Sequence, residues 1–382
     1  MACSYAEDLA FLREYTEIHE IVDPATGSRV VVAPAWQGRI LTSSLGDIAS
    51  PGFGWIHREF IAAGQPHEKI HAYGGEDRFW IGPEGGQFSI FNPPGSAFDI
   101  ESWRTPAGID SEAYQVVSVG DAHVQCTHQA NFVNWSAARF DVGIDRELRL
   151  LPEPVWRACL GVECAPAVRA VAFESNNTIT NLGTAAWSQE TGLIGIWTIG
   201  MFRHSPSMTV VVPYVAGHED ELGPIVNDAY FGKVPEDRLV VSEAAMFFKG
   251  DGQYRSKIGI SPRRAKNIFG SFDPSVGALT LVQFDLPPGA SEYVNSMWEH
   301  QDQPFGGDAI NSYNDGAWGE GGEPLGPFYE LETSSPAAAL APRESLSHTH
   351  RTMHLHGPRQ ELDALSCAVL GVGLDQIESV LR

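Results

Sequence analysis

The sequence predicts a mostly β protein built from antiparallel sheets, and three observations carry that expectation. Residues 140–150 alternate, with Phe140, Val142, Ile144, Leu148 and Leu150 at even positions and Asp141, Asp145, Glu147 and Arg149 at odd ones. A period of two puts one face of a strand in a core and the other in water. The 39 glycines and 25 prolines suit a chain that turns often. No strand-like run alternates with a long amphipathic helix, which argues against a doubly wound α/β fold.

The elements follow in order. Ser4 and Glu7 have the spacing of a capping box, and Leu9, Phe11, Leu12 and Tyr15 cluster behind them, so a helix opens the chain. Residues 29–356 then read as short strands separated by Gly, Pro, Asn and Asp. Besides 140–150, the strand candidates include 29–33, 87–91, 116–119, 168–173, 208–215 and 279–286. In the tail, Leu362, Leu365, Val369 and Leu370 predict one helix, Gly371 and Gly373 interrupt it, and Leu374, Ile377 and Leu381 predict another. The expected organisation is one β-sandwich domain over residues 1–357, with the helical tail 358–382 packed on it. Residues 303–327 are rich in Gly, Asn, Asp and Pro, and a loop of that length in a compact domain is often functional.

Composition excludes several classes. The net charge of −23 repels phosphate backbones and anionic lipid alike, so neither nucleic acid nor a membrane surface is an expected partner. No apolar run approaches the length of a membrane span. The chain opens without the basic and apolar regions of a secretory leader. Its five cysteines include no CxxC pair and read as reduced thiols, so a cytoplasmic location is expected. No GxSxG, P-loop or HExxH pattern is present.

Three polar segments hold the candidate chemistry. The first runs from His71 through Gly74, Gly75, Glu76, Asp77, Arg78, Phe79 and Trp80 to Glu84. Its glycines permit a tight turn of unusual φ. Its carboxylates and guanidinium can bond sugar hydroxyls while Trp80 stacks on a sugar face; the alternative is an internal Arg–carboxylate pair that fixes a loop. The second segment places Glu330 and Glu332 on one strand face, where neighbouring carboxylates need a cation, a proton or a polyol between them. The third places His348, His350, Thr352, His354 and His356 on one strand face, which suits a metal, an acid–base pair or hydrogen-bonded structure. His128, Asn176 and Trp187 are lesser candidates for contacts to a hydroxylated ligand, with turn or core roles as the alternative.

Several strings resemble an uncharacterised bacterial family, a domain of unknown function related to the galactose mutarotase-like, or aldose 1-epimerase-like, superfamily. They are Gly38-Arg-Ile-Leu-Thr42, Gly74 through Ser89, Thr191 through Met201, and Pro327 through Pro336. The resemblance runs over residues 5–357. It implies a β-supersandwich of large antiparallel sheets with a sugar site, and an epimerase-like His acid and Glu base. The paired histidines depart from the simple epimerase pattern and leave room for a metal.

These readings converge on a small sugar or oligosaccharide as the ligand. The leading expectation is an aldose 1-epimerase-like isomerase or a carbohydrate lyase, with His348 or His350 and Glu330 as acid and base and no required cofactor. His71, Glu76, Asp77, Arg78, Trp80, His128, Asn176 and Trp187 are the expected substrate contacts. The alternatives are a non-catalytic sugar binder, and a lyase or hydrolase with a divalent metal on His348, His350 and Glu330.

Overall fold

A computed structural model of the chain describes residues 3–317 and 322–381. It begins with α1 (Tyr5–Tyr15), β1 (His19–Val22), β2 (Arg29–Ala33), β3 (Arg39–Ser44), α2 (Arg58–Ala63) and β4 (Arg78–Gly82). After a long irregular stretch come β5 (Gln115–Val119), β6 (His123–Val133), β7 (Arg139–Leu150), α3 (Glu153–Leu160) and β8 (Arg169–Asn181). Next are β9 (Gly195–Arg203), β10 (Thr209–Pro213), α4 (Glu219–Leu222), β11 (Leu239–Val241), β12 (Ala245–Lys249) and β13 (Ser256–Ile260). The chain closes with β14 (Ile268–Asp273), β15 (Ala278–Phe284), β16 (Ile310–Asn314), β17 (Phe328–Ser334), β18 (Ser345–His356), α5 (Arg359–Leu370) and α6 (Leu374–Ser379).

All the strand pairs are antiparallel, as the alternation predicted. A ten-stranded sheet runs β11-β12-β10-β14-β15-β18-β8-β7-β6-β5, a five-stranded sheet runs β13-β16-β17-β9-β4, and β1-β2-β3 form a third. Leu331 and Tyr329 of the five-stranded sheet pack on Val282, Phe284 and Val210 of the ten-stranded one, so the two larger sheets are layered. The far face of the ten-stranded sheet is covered by α3, α5 and α6 through Trp156, Leu362, Leu365, Leu374 and Ile377.

Local rules explain most of this. Ser4 and Glu7 exchange the two hydrogen bonds of a capping box at the start of α1. Along β7 the even residues are buried and the odd ones exposed or half-buried, apart from Gly143. The even Arg146 is also buried, and its charge is met by Asp77. Gly371, at φ +76°, ends α5. Residues 87–91 are not a strand, contrary to the sequence expectation. The Ser89 hydroxyl donates to the Glu84 carbonyl at 2.6 Å and accepts from the Phe91 N–H at 3.0 Å, taking up backbone groups locally. The 303–327 stretch contains a strand, β16; its residues 318–321 lie outside the described residues.

Candidate functional site

Alternation along β17 builds the site. Tyr329, Leu331 and Thr333 turn into the sandwich, so Glu330 and Glu332 share its outer face, as expected. Cross-strand register adds neighbours on that face: Lys257 opposes Tyr313, which opposes Glu330, while Glu332 opposes Ile199, which opposes Arg78. Trp197 and Trp80 are likewise opposed. Loops raise walls around this floor with Glu84, Trp103, Phe231, Trp298 and Leu325. The cleft holds about 80 Å³, a few water molecules' worth of space.

Its electrostatics answer the problem set by two neighbouring carboxylates. Lys257 reaches Glu332 at 2.9 Å, and the Trp197 indole N–H donates to the same oxygen at 2.8 Å. Burial works against the Lys257 ammonium, but Glu332, Glu84 and Glu330 together outweigh it and hold its pKa above the usual value. Burial, then the nearby Glu332, push Glu330 well above the usual carboxylate range despite Lys257 and Arg78. Glu84 is raised as well, first by burial. Burial lowers Arg78 to about 10, so it remains a cation at neutral pH. The Arg78 guanidinium lies 3.9 Å from the centre of the Trp80 ring, a cation–π contact.

Several donors in this wall lack acceptors. Arg78 Nε and the indole N–H groups of Trp80 and Trp103 are buried without a hydrogen-bond partner. Native interiors leave few such groups, and each costs about 1–3 kcal/mol unless something fills the gap. Unmet donors on an aromatic wall beside a carboxyl of raised pKa suit a hydroxylated guest.

The structure divides the expected site residues. Glu330, Arg78 and Trp80 meet in the cleft. His71 stands behind it: its Nδ1 is 2.6 Å from Asp110, whose other oxygen accepts from Arg78 at 3.4 Å. Glu76 and Asp77 are buried within the sandwich instead, following a turn in which Gly74 and Gly75 have φ of +91° and +109°. A Cβ on Gly74 would sit 2.1 Å from the Trp55 carbonyl oxygen. Asp77 pairs with Arg146 of β7 and accepts from Ser175 of β8, so its partner is a strand residue outside the segment rather than Arg78. His128 pairs with Glu112 at 2.8 Å, Asn176 is exposed on the ten-stranded sheet, and Trp187 packs edge-on against Phe140 in the core. None of these three lines the cleft.

The His348, His350 and Glu330 set does not come together. Both histidines face the sandwich interior, where His348 Nε2 and His350 Nδ1 each lie 2.9 Å from the Thr333 hydroxyl. Thr333 and Glu330 project from opposite faces of β17, so the sheet separates the histidines from the carboxyl. Burial lowers both imidazoles to about 3, which keeps them neutral. Nor do the three form a metal set, because their common neighbour is a hydroxyl and Glu330 lies beyond the sheet. Among the described residues, no group of three or more His, Cys, Asp and Glu side chains is arranged to hold a metal.

Sequence reasoning included Glu84 in the first polar segment without giving it a role, and passed over Trp103, Trp197, Arg255, Lys257 and Trp298. One signal was available: Arg255 and Lys257 alternate with the buried Ile258 and Ile260, which marks a charged face opposite an apolar one. The indoles come from separate loops and strands, and no local pattern links them.

Comparison with known proteins agrees with the architecture. A proposed aldose 1-epimerase from Escherichia coli K12 superposes with a TM-score of 0.53 at 12% identity, over 90% of this chain and 99% of that one. The Slr1438 protein from Synechocystis sp. PCC 6803 gives 0.50 at 11% identity, over 90% and 96%. At such identities the likeness shows the fold alone. No curated protein sequence matches the chain. The match to a family profile runs over residues 3–381, so the chain belongs to DUF6786, a family of unknown function.

Proposed function

We propose that this protein acts on a small sugar, or on the terminal residue of an oligosaccharide, by acid–base chemistry at the anomeric or a neighbouring carbon. The observation that carries the reading is Glu330, a buried carboxyl whose pKa burial and Glu332 push well above the usual carboxylate range, set beside cations and an indole wall. Opening and reclosing a pyranose ring needs one group to protonate the ring oxygen and another to take the proton of the C1 hydroxyl. Glu330 is the acid. Glu84, raised less, is the base. Arg78 and Lys257 stabilise charge that develops on oxygen. The indoles of Trp80, Trp103, Trp197 and Trp298 cover the C–H face of the sugar and exclude water.

A space of about 80 Å³ admits an edge of a sugar ring, so the ligand enters end-on. The reaction so written uses no metal or cofactor. Five unpaired cysteines fit a reducing, cytoplasmic setting.

The test is NMR exchange between the anomers of a panel of aldoses, with the wild type and Glu330→Gln. Accelerated exchange that Glu330→Gln removes is the expected result. Line broadening of a sugar without exchange would instead make the cleft a non-catalytic binding site, and the absence of both would overturn the sugar reading.

A further inference from the structure

A second and larger cavity opens at one end of the sandwich, between the two main sheets. It holds about 510 Å³, within the usual range for small-molecule sites, whereas the cleft holds about 80 Å³. Two successive rungs of the ten-stranded sheet form one wall. The deeper rung carries Ser271, Thr280 and His354, and the outer rung carries Asp273, Ala278, His356 and Arg169. Phe53, Phe202 and Tyr329 close the opposite side.

The deeper rung is fixed. His354 Nε2 lies 2.6 Å from Glu76 and its Nδ1 2.8 Å from the Thr280 hydroxyl. Phe53 stacks on the imidazole at 4.1 Å, with the rings 2° from parallel. Ser43 donates to the same Glu76 oxygen at 2.9 Å. The outer rung has fewer partners within the protein. His356 and Arg169 oppose each other across adjacent strands, about 5 Å apart. His356 Nε2 is buried without a hydrogen-bond partner. Arg169, exposed at the rim, has no carboxylate partner among the described residues, whereas Arg203 in the same cavity pairs with Asp8 at 2.5 Å, a carboxylate that also meets Arg58 at 2.8 Å.

Burial, then the neighbouring His354 and Arg169, lower His356 below its ordinary 6.5, so Arg169 supplies the charge and the imidazole a neutral hydrogen-bonding edge. Asp273 stands three strands from Arg169, about 14 Å across the sheet. One of its oxygens accepts the Ser275 N–H at 2.9 Å. The cavity therefore has a cationic end, an acceptor end and an aromatic wall between them.

We propose that this cavity is a second ligand site, distinct from the cleft, which takes a small hydroxylated carboxylate of the sugar-acid class. Arg169 and His356 hold the carboxylate. Asp273 accepts from hydroxyls at the far end, and Phe53 and Tyr329 cover the carbon skeleton. This site stands independently of the acid–base reading of the cleft.

The experiment titrates the full chain with sodium D-glucuronate at constant ionic strength. D-glucose serves as the uncharged match, and the His356 ring resonances are followed by NMR. A saturable His356 shift is expected with glucuronate, at least tenfold weaker with glucose. Arg169→Gln weakens it at least tenfold, and His356→Gln does the same when binding is read by calorimetry. Glu330→Gln leaves it unchanged, which separates this site from the cleft. No saturable shift, equal shifts from the two sugars, or a shift lost in Glu330→Gln but kept in Arg169→Gln would each overturn the proposal.

Discussion

Along β17, adjacent side chains enter two different environments. Outward, Glu330 and Glu332 meet Lys257, Arg78 and a wall of indoles, and several donors there lack acceptors. Inward, Thr333 meets His348 and His350 in a closed cluster, with only the His348 Nδ1 left unpartnered. Both environments are buried and polar. The outer one leaves hydrogen-bonding capacity for a guest and raises the pKa of a carboxyl, whereas the inner one spends its capacity on itself and keeps its imidazoles neutral. Buried polarity that closes on itself organises a fold, and buried polarity left open next to a cavity marks a site.

The largest expected effect falls on the outer face. Glu330→Gln should lower turnover about 10²- to 10⁴-fold, the usual worth of a general acid, while urea midpoints hold or rise because one of two neighbouring carboxyls is gone. A variant with full activity would remove Glu330 from the chemistry. Thr333→Val should do the reverse. It strips both histidines of their shared partner and costs about 1–3 kcal/mol in denaturant unfolding, with activity per folded molecule kept. Loss of activity without loss of stability would place Thr333 in the mechanism.

The two faces also carry opposite pH signs. Glu330 is raised above its ordinary 4.5, so its contribution to stability is fully present below that value and is lost as pH rises through the folded pKa. His348 and His350 are lowered from 6.5 to about 3, so theirs is present above 6.5 and lost as pH falls toward 3. Urea midpoints measured across this range should show Glu330→Gln flattening the alkaline-side loss and His350→Gln flattening the acid-side loss. Identical slopes for both variants and the wild type would break the comparison.

The smallest effect is a probe of the unmet donors. Trp103→Phe keeps an aromatic ring and removes an N–H that has no partner. Stability should change by less than about 1 kcal/mol while sugar affinity, read by calorimetry, falls a few-fold. A clear loss of stability with unchanged affinity would show that the indole N–H serves the fold rather than a ligand.

Much of the fold is written locally. The alternation in β7, the capping box at Ser4 and Glu7, and the glycine break between α5 and α6 each depend on residues within a few positions of one another. The site was legible only in part. Period two placed Glu330 and Glu332 on one face, and placed the even-numbered histidines of β18 on another. It did not reveal that the two faces turn away from each other, because alternation fixes faces within a strand and carries no information about layering.

The sequence by itself determined the antiparallel β character, the sidedness of each strand and the need for something to relieve two neighbouring glutamates. Those properties follow from short-range geometry and charge. Only the tertiary structure decided that Lys257 meets Glu332 between the two carboxyls, that Asp77 pairs with Arg146 away from the cleft, and that the indoles gather over Glu330. These partners are far apart in the chain and meet through the pairing order of the sheets and the course of the loops, which is why no local pattern announced them.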